Sequence, residues 1–570
     1  MKNAICSLLL LAMVICTITV TPIQAVTENS STYEKAVDLK VLGLWVNNIE
    51  IKLGQTPSKV EGVCMLVELL GKDQEISKLK YTHPFTDVPS WAEKHVGFIY
   101  KNGLESGISG SLFGSTKPLT AVQYLGYILK ALGYDDKNGD FNTDNIFEKS
   151  VQTGLLNSTE AVTLKNKSTF LRDDLIELSY KALKIKLKSS NMTLLDKLIT
   201  QDKTVYKEAA TLLGLYTSDL QNEIGNIMDY EPVLTSMGYV ANNSDDLFRI
   251  MRKEINEYKT TINIDYSKYQ GDALKDFEAA YKRAYNAVNK STGVSDFISS
   301  WKYSSQNCLL NITINYRFPL SEFQIKKKRV AETINKARHI VADIIKPGMS
   351  DYDKELVLHN YIVKNTKYDY NNFISGNIPE SDFDAYGNLV LGKSVCQGYS
   401  TTMKLLCDLA AVECIIVSGE TKNTSKWLSH SWNIVKINGD YYHVDVTSDD
   451  PVMKSGKETL TYYYFNLPDA ELSKHYRWDK SGYPACKSVA YNYYYKNGLV
   501  VNNIKEYTNA LMSAVKKREP KIELKVKDYT DSVYSDPTTI MFKTNDVSTF
   551  NYSINNRLGI ISITEIKYRS

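Results

Sequence analysis

Tyr386-Gly387-Asn388-Leu389-Val390-Leu391-Gly392-Lys393-Ser394-Val395-Cys396-Gln397-Gly398-Tyr399-Ser400 decides how this chain is read. It runs into Met403, Leu406, Cys407 and Ala410, whose spacing of mostly three or four residues puts them on one face of a helix. Cys396 opens that helix. A thiol there meets the positive end of the helix dipole and free backbone N–H groups, which favour the reactive thiolate. The same N–H groups suit a developing oxyanion. Gly392 and Gly398 flank the site, where small residues let backbone or substrate approach closely.

Downstream, Cys414-Ile415-Ile416-Val417 reads as a strand. Two further strand-like segments, Leu428 to Ile437 and Asp440 to Thr447, are joined by Asn438-Gly439, a strong two-residue hairpin signal. That turn sets the register: Ile437 opposes Asp440, Trp432 opposes Asp445 and His430 opposes Thr447. Alternation then places His430 and Asp445 on one face as diagonal neighbours, close enough for imidazole and carboxylate to meet. His443 falls on the same face as a competing base. Cys, His and Asp together supply a nucleophile, a base to deprotonate it and an acid to orient the imidazole.

Gly392-x-x-Val395-Cys396-x-Gly398-Tyr399, then His430-x-Trp432-Asn433, then Tyr442-His443-Val444-Asp445-Val446-Thr447 resembles the transglutaminase-like superfamily, a papain-related fold. The resemblance covers roughly residues 246 to 479 and implies Cys396 as nucleophile, His430 as base and Asp445 as its orienting acid. Tyr463 to Asn466, His475 and Trp478 are similar to the ends of bacterial members. Ser448 stands where many relatives carry tryptophan, which bears on pocket shape. Tyr386, Gln397 and Trp432 are the candidate oxyanion or pocket residues. The implied activity is thiol-dependent acyl chemistry on a peptide or protein amide, either protease or amidase hydrolysis or amine crosslinking, with no cofactor or metal. The alternative of another class is a non-catalytic surface scaffold or wall-binding protein on the same fold.

The first residues follow a secretory pattern: Lys2, an apolar run from Ala4 to Val20, and a cleavage site expected after Ala25. No later segment is apolar and long enough to span a bilayer. Six cysteines lie beyond that segment, too few in so long a chain for a disulfide framework, and no CxxC pair suggests zinc. With Lys+Arg 68 against Asp+Glu 65, there is no basic field to attract nucleic acid.

Between about Ser30 and Lys188 a weak repeat appears, marked by Gly43-Leu44, Gly103-Leu104 and Gly154-Leu155. Helix starts follow at Ser58, Thr120 and Leu171. Ser58 with Glu61, and Thr120 with Gln123, have capping-box spacing. The second copy, from Phe85-Thr86-Asp87-Val88 and Trp91-Ala92 to Leu119-Thr120, looks like an S-layer homology repeat. That resemblance implies retention on Gram-positive-type cell-wall polysaccharide, with Lys59, Arg172, Asp87 and Trp91 as candidate glycan contacts. Lys59 and Arg172 could meet an anionic sugar at a helix N-terminus.

At 570 residues the chain needs several cores. The expected plan is multidomain: a signal peptide over 1–25, all-α S-layer-homology-like repeats over 26–190, a helical connector over 191–245, an α+β papain-like transglutaminase-like domain over 246–488, and a small α/β tail over 489–570. Within 246–488, strands are expected at 261–266 and 310–316. The tail echoes this opening order, with a helix over 504–517 and strands over 522–526 and 539–542.

Overall fold

The computed structural model describes residues 31–569 except 47, 79, 217–233, 237, 293–297, 347, 424–425 and 452–459. The apolar segment read as a signal lies outside the described residues. No helix among those described is long and apolar enough to cross a membrane.

The Gly-Leu marks are helix stops. Gly43, Gly103 and Gly154 have φ of 71°, 60° and 78°. In the first, the Gly43 N–H donates to Lys40 O at 3.1 Å and the Leu44 N–H to Leu39 O at 2.8 Å. In the second, Gly103 reaches Tyr100 O and Leu104 reaches Ile99 O, each at 3.0 Å. This is the paired arrangement that satisfies the last carbonyls of a helix, and a glycine adopts its left-handed residue without steric cost. The capping boxes at Ser58–Glu61 and Thr120–Gln123 both form. Leu44 and Leu155 then tuck into one hydrophobic core that runs from Ala36 to Tyr216, including Leu194, Leu195, Leu198 and Ala209. The N-terminal region is therefore mostly helical, and its core extends past residue 190.

Beyond it, residues 234–316 build a core of their own. Strands Gly238–Val240, Thr261–Asp265, Leu309–Tyr316 and Ile298–Gln306 lie side by side in that order, the first pair parallel and the others antiparallel. Ile262, Ile264, Leu310 and Ile312 pack on Leu247, Phe248 and Met251 of helix Ser244–Asn256 and on Phe277 and Tyr281 of helix Ala273–Thr292.

The C-terminal region repeats this plan. Val500–Val501, Ile522–Val526, Ile560–Tyr568 and Val547–Asn555 lie in that order, again with the first pair parallel and the rest antiparallel. Asn243 and Asn503 cap the corresponding helices, and Asp246 and Glu506 accept from the N–H of Asn242 and Asn502. The expected strand over 539–542 is a correction: Thr538–Met541 is a short helix. A four-residue apolar run carries no period long enough to separate strand from helix, and here it follows Pro537. The strands 547–555 and 560–568, unmarked by the sequence reading, make the sheet instead.

Between these two sheets lies the α+β core region. Strands Asp440–Val444, Lys426–Ile437, Cys414–Asn423 and Tyr476–Arg477 form an antiparallel sheet in that order. Helices Leu320–Ile344, Asp351–Asn365 and Cys396–Leu409 cover it, with Leu358, Ile362, Met403, Leu406, Val435 and Tyr442 in the shared core. The hairpin register is as read: Asp440 pairs with Ile437 and Val444 with Asn433. A second cluster, with Val417, Trp432, Ile434 and Tyr476, takes in Leu558 and Ile560 of the C-terminal sheet. The C-terminal unit is thereby packed against the central sheet.

Candidate active site

The loop before Cys396 is stitched in place. Lys367 N–H donates to Gly392 O at 2.9 Å, Asp369 N–H to Ser394 O at 3.0 Å, and Val395 N–H to Asp382 O at 3.0 Å. A Cβ at Gly398 would lie 2.6 Å from the Asp382 carbonyl oxygen, so the close approach needs glycine there. The helix Cys396–Leu409 starts at the cysteine. Val395 O accepts from the Gly398 and Tyr399 N–H groups, while those of Cys396 and Gln397 stand at the first turn, where a helix has no internal acceptor. Asn433 Nδ2 donates to Ser400 O at 3.0 Å, and the Ser400 and Ser431 hydroxyls are 2.7 Å apart. These contacts bring the helix start against the strand that carries His430.

His430 Nε2 lies 2.7 Å from Asp445 Oδ2, one residue past the end of the ladder. Cys396 and His430 line the same cleft, and the sulfur is close enough to help hold the ring's proton. With Nε2 committed to Asp445, Nδ1 is the nitrogen left to face the thiol. Burial alone would drive this imidazole toward its neutral form. The Asp445 charge and hydrogen bond, with the Cys396 thiol adding to them, outweigh burial and hold it protonated up to about 10. Burial likewise works against the Asp445 anion, but the imidazolium beside it keeps the carboxyl below the usual range.

Two partners of Asp445 were not singled out from sequence as site residues. Ser448 Oγ and Tyr476 OH donate to Oδ2 at 2.7 and 2.6 Å, and Ser448 N–H donates to Oδ1 at 3.1 Å. Ser448, noted as the replacement for a tryptophan, thus has a place in the network. Tyr476 carried no signal, because its partner is 31 residues away and only the fold brings them together.

Cys396, His430 and Ser448 open onto a cleft of about 740 Å³ lined also by Tyr368, Phe373, Tyr464 and Arg557. Of the three pocket candidates, none lines it. Gln397 is exposed, Tyr386 sits under the Arg329 guanidinium at 5.3 Å, and Trp432 is buried on the same sheet face as His430. Trp432 Nε1 donates to His443 Nδ1 at 3.0 Å, and His443 Nε2 lies 2.8 Å from Asp469 Oδ1. An indole N–H on Nδ1 fixes the proton on Nε2, where it is given to Asp469. His443 shares the sheet face with His430 but has no free nitrogen for a thiol.

Two groups of side chains among the described residues gather metal-type donor atoms within 4.8 Å of one another: His443, Asp469 and Cys486, and Glu68, Asp73 and His95. In the first, the tautomer just derived leaves no lone pair on Nε2 for a metal. The second lies in the N-terminal helices, away from the cleft.

The four candidate glycan contacts have intramolecular roles. Lys59 is buried, donates to Ser106 O at 2.7 Å and sits 4.5 Å from the Phe113 ring centroid. Arg172 pairs with Glu61 at 2.5 Å. Asp87 accepts from the N–H groups of Phe113, Gly114 and Ser115 at 2.6, 2.8 and 2.9 Å, and Trp91 packs on the helical core.

Residues 338–446, which span Cys396, His430 and Asp445, match the transglutaminase-like superfamily, a grouping that includes peptidases and transglutaminases. The chain is similar to the kyphoscoliosis peptidase of Mus musculus, with 24% identity over 136 residues, 22% of this chain and 20% of that protein. The match thus spans about a fifth of the curated relative. Among solved structures, one described as a TGase shares 15% identity over 38% of this chain and 62% of its own, with a TM-score of 0.18. A candidate cysteine protease from Cytophaga hutchinsonii shares 12% over 28% and 65%, with a TM-score of 0.17.

Proposed function

We propose that this protein is an exported, wall-held thiol enzyme that transfers acyl groups from peptide or protein amides through Cys396, His430 and Asp445. The observation that carries the reading is one continuous line, from a thiol at a helix start through the His430 ring to a buried carboxylate, opening on a cleft.

In this reading the Cys396 thiolate attacks the amide carbonyl carbon, and the N–H groups of Cys396 and Gln397 receive the developing oxyanion. As the tetrahedral intermediate collapses, the C–N bond breaks and His430 gives its proton to the departing amine. A thioester remains. His430 then takes a proton from water or an amine as its oxygen or nitrogen bonds the acyl carbon, and the C–S bond breaks to return the Cys396 thiolate, giving a carboxylic acid or a crosslinking amide. Asp445 holds the ring so that Nδ1 faces the sulfur and compensates its positive charge; Ser448 and Tyr476 in turn hold Asp445.

Export through the N-terminal apolar segment and retention of the helical repeats on anionic cell-wall polysaccharide complete the proposal. Because Lys59 and Arg172 are paired internally, a glycan would meet them only by competing with Glu105 and Glu61. Sedimentation of the full chain with purified walls tests retention, and its absence from the pellet rejects it. For the chemistry, the protein and its Cys396→Ala variant are incubated with wall proteins and a labelled primary amine. Amine incorporation or cleavage that depends on Cys396 supports the enzyme and separates crosslinking from hydrolysis. Neither outcome would leave the scaffold reading.

A further inference from the structure

Part of the cleft wall comes from the C-terminal sheet: Ser553, Ile554, Asn555, Asn556 and Arg557 line the same space as Cys396 and His430. The two copies of the repeated sheet show how this loop differs from its counterpart. In the first copy the hairpin pairs Gln306 with Leu309, leaving Asn307 and Cys308 as a two-residue turn with positive φ at both. In the second the corresponding pair is Asn555 and Ile560, so the loop holds Asn556, Arg557, Leu558 and Gly559.

The longer loop docks the sheet and dresses the cleft. Leu558 is buried in the cluster shared with Trp432 and Tyr476. Gly559, at φ 65°, passes so close to Val526 that a Cβ would meet its carbonyl oxygen at 2.6 Å. Arg557 Nη1 donates to Lys422 O at 2.9 Å, and His475 Nε2 lies 3.3 Å from Arg557 O, so the loop is held on the central sheet. Both Arg557 and Lys422 are exposed at the cleft, and none of the described residues lining it is acidic. Tyr368, Phe373, Tyr463, Tyr464 and Tyr476 supply aromatic walls around them.

We infer that this loop selects the substrate: Arg557 and Lys422 recruit an acidic peptide, binding a side-chain carboxylate beside the amide that Cys396 attacks. Two cations at the rim of a low-dielectric, aromatic-walled groove raise the local concentration of anionic ligands and orient them. The inference rests on the thiol-enzyme reading, and the test separates the two.

Three bromoacetyl probes report on both. Each alkylates a thiolate by forming a C–S bond and releasing bromide, and they differ in charge and its position: bromoacetyl-glutamyl amide, the neutral bromoacetyl-glutaminyl amide, and bromoacetyl-glutamine with a free terminal carboxylate. Rates at Cys396 are read by peptide mass spectrometry of the full chain. The glutamyl amide is expected to react about fivefold faster than the glutaminyl amide at low ionic strength, with the gap shrinking as salt screens the rim charges. The Lys422→Gln/Arg557→Gln double variant should bring the ratio to about one, because both probes feel any change in loop packing alike and only the glutamyl amide loses its charge partners. Lys422→Arg/Arg557→Lys, which keeps the charge, should restore it. Equal wild-type rates, or a preference that survives the double glutamine variant, would overturn the inference, the latter assigning selection to His430. Faster labelling by the free-acid probe than by the glutamyl amide would also overturn it, by moving recognition to a chain terminus. If no probe labels Cys396 faster than Cys486, the thiol-enzyme reading itself falls and the inference falls with it.

Discussion

The central sheet carries two Cys, His and Asp groupings, and they do opposite things. Cys396 and His430 open on a cleft, with Asp445 buried behind the ring. The donor atoms of His443, Asp469 and Cys486 lie within 4.8 Å of one another, but His443 and Cys486 are buried. In the first, the imidazole is held protonated and one nitrogen faces the thiol. In the second, burial is the larger influence and lowers His443 below its ordinary value despite Asp469, while Trp432 occupies Nδ1. Burial also pushes the Cys486 thiol well up, with Asp469 adding to it. The residue types are the same. What separates a reactive group from a structural one is which nitrogen is free and whether the sulfur sits at a helix start.

The largest expected difference is in thiol reactivity. At pH 6, iodoacetamide should label Cys396 about 100-fold faster than Cys486, Cys407 or Cys414, because only Cys396 combines a helix start, a His430 partner and an opening on the cleft, while the other three are buried. Rates from peptide mass spectrometry on folded protein check this, and comparable labelling of the four would erase the distinction between the groupings.

Alanine at each histidine should split the two roles. His430→Ala is expected to slow Cys396 alkylation at pH 6 by about 100-fold, since it removes the ion-pair partner of the thiolate. His443→Ala should leave that rate within about threefold yet cost about 2 kcal/mol of stability, by orphaning the Trp432 N–H and Asp469. Denaturant unfolding run beside the labelling assay decides; a reversed pattern would exchange the two assignments.

The pH dependence of stability should run in opposite directions. His430 is raised in the folded state, so its stabilising contribution is fully present below the unfolded value near 6.5 and is lost as pH climbs through about 10. The melting gap between wild type and His430→Gln should therefore narrow toward pH 10. His443 is lowered on folding, so the unfolded chain binds the extra proton in the window below about 6.5 and its contribution falls with falling pH. The gap to His443→Gln should narrow on the acid side instead. Thermal melts at a series of pH values measure both, and parallel trends would break the comparison.

The smallest effect concerns the carboxylate's support. Ser448→Ala and Tyr476→Phe each remove one hydroxyl from Asp445 and should slow Cys396 alkylation by about three- to tenfold, matching about 1 kcal/mol for a lost hydrogen bond. Iodoacetamide kinetics for the pair would sharpen the case if the two losses exceed their sum, as expected for a shared acceptor. No change in either would make them packing residues only.

Much of the site was legible because its signals are local. A helix start shows in the spacing of Met403, Leu406 and Cys407, and Asn438-Gly439 sets a register that holds through Val444. The same locality explains the Gly-Leu stops and the capping boxes, each closed within a few residues of chain. Failures fell where the deciding contact is remote or the signal weak. Thr538–Met541 has no period to read, and strand 547–555 exposes much of its polar sequence, whereas 560–568, with buried Ile560, Ile561, Ile563 and Ile566, carried a strand signal that went unread.

By itself the sequence determined the helix on which Cys396 sits and the hairpin face shared by His430, His443 and Asp445, because periodicity and turn chemistry act over short stretches. Tertiary structure alone decided that His430 and not His443 faces the thiol, that Tyr476 and Ser448 hold Asp445, that Lys59 and Arg172 are paired internally, and that Arg557 lines the same cleft as Cys396. Those outcomes depend on groups many residues apart competing for the same hydrogen-bonding atoms and the same buried space, which only the packed chain resolves.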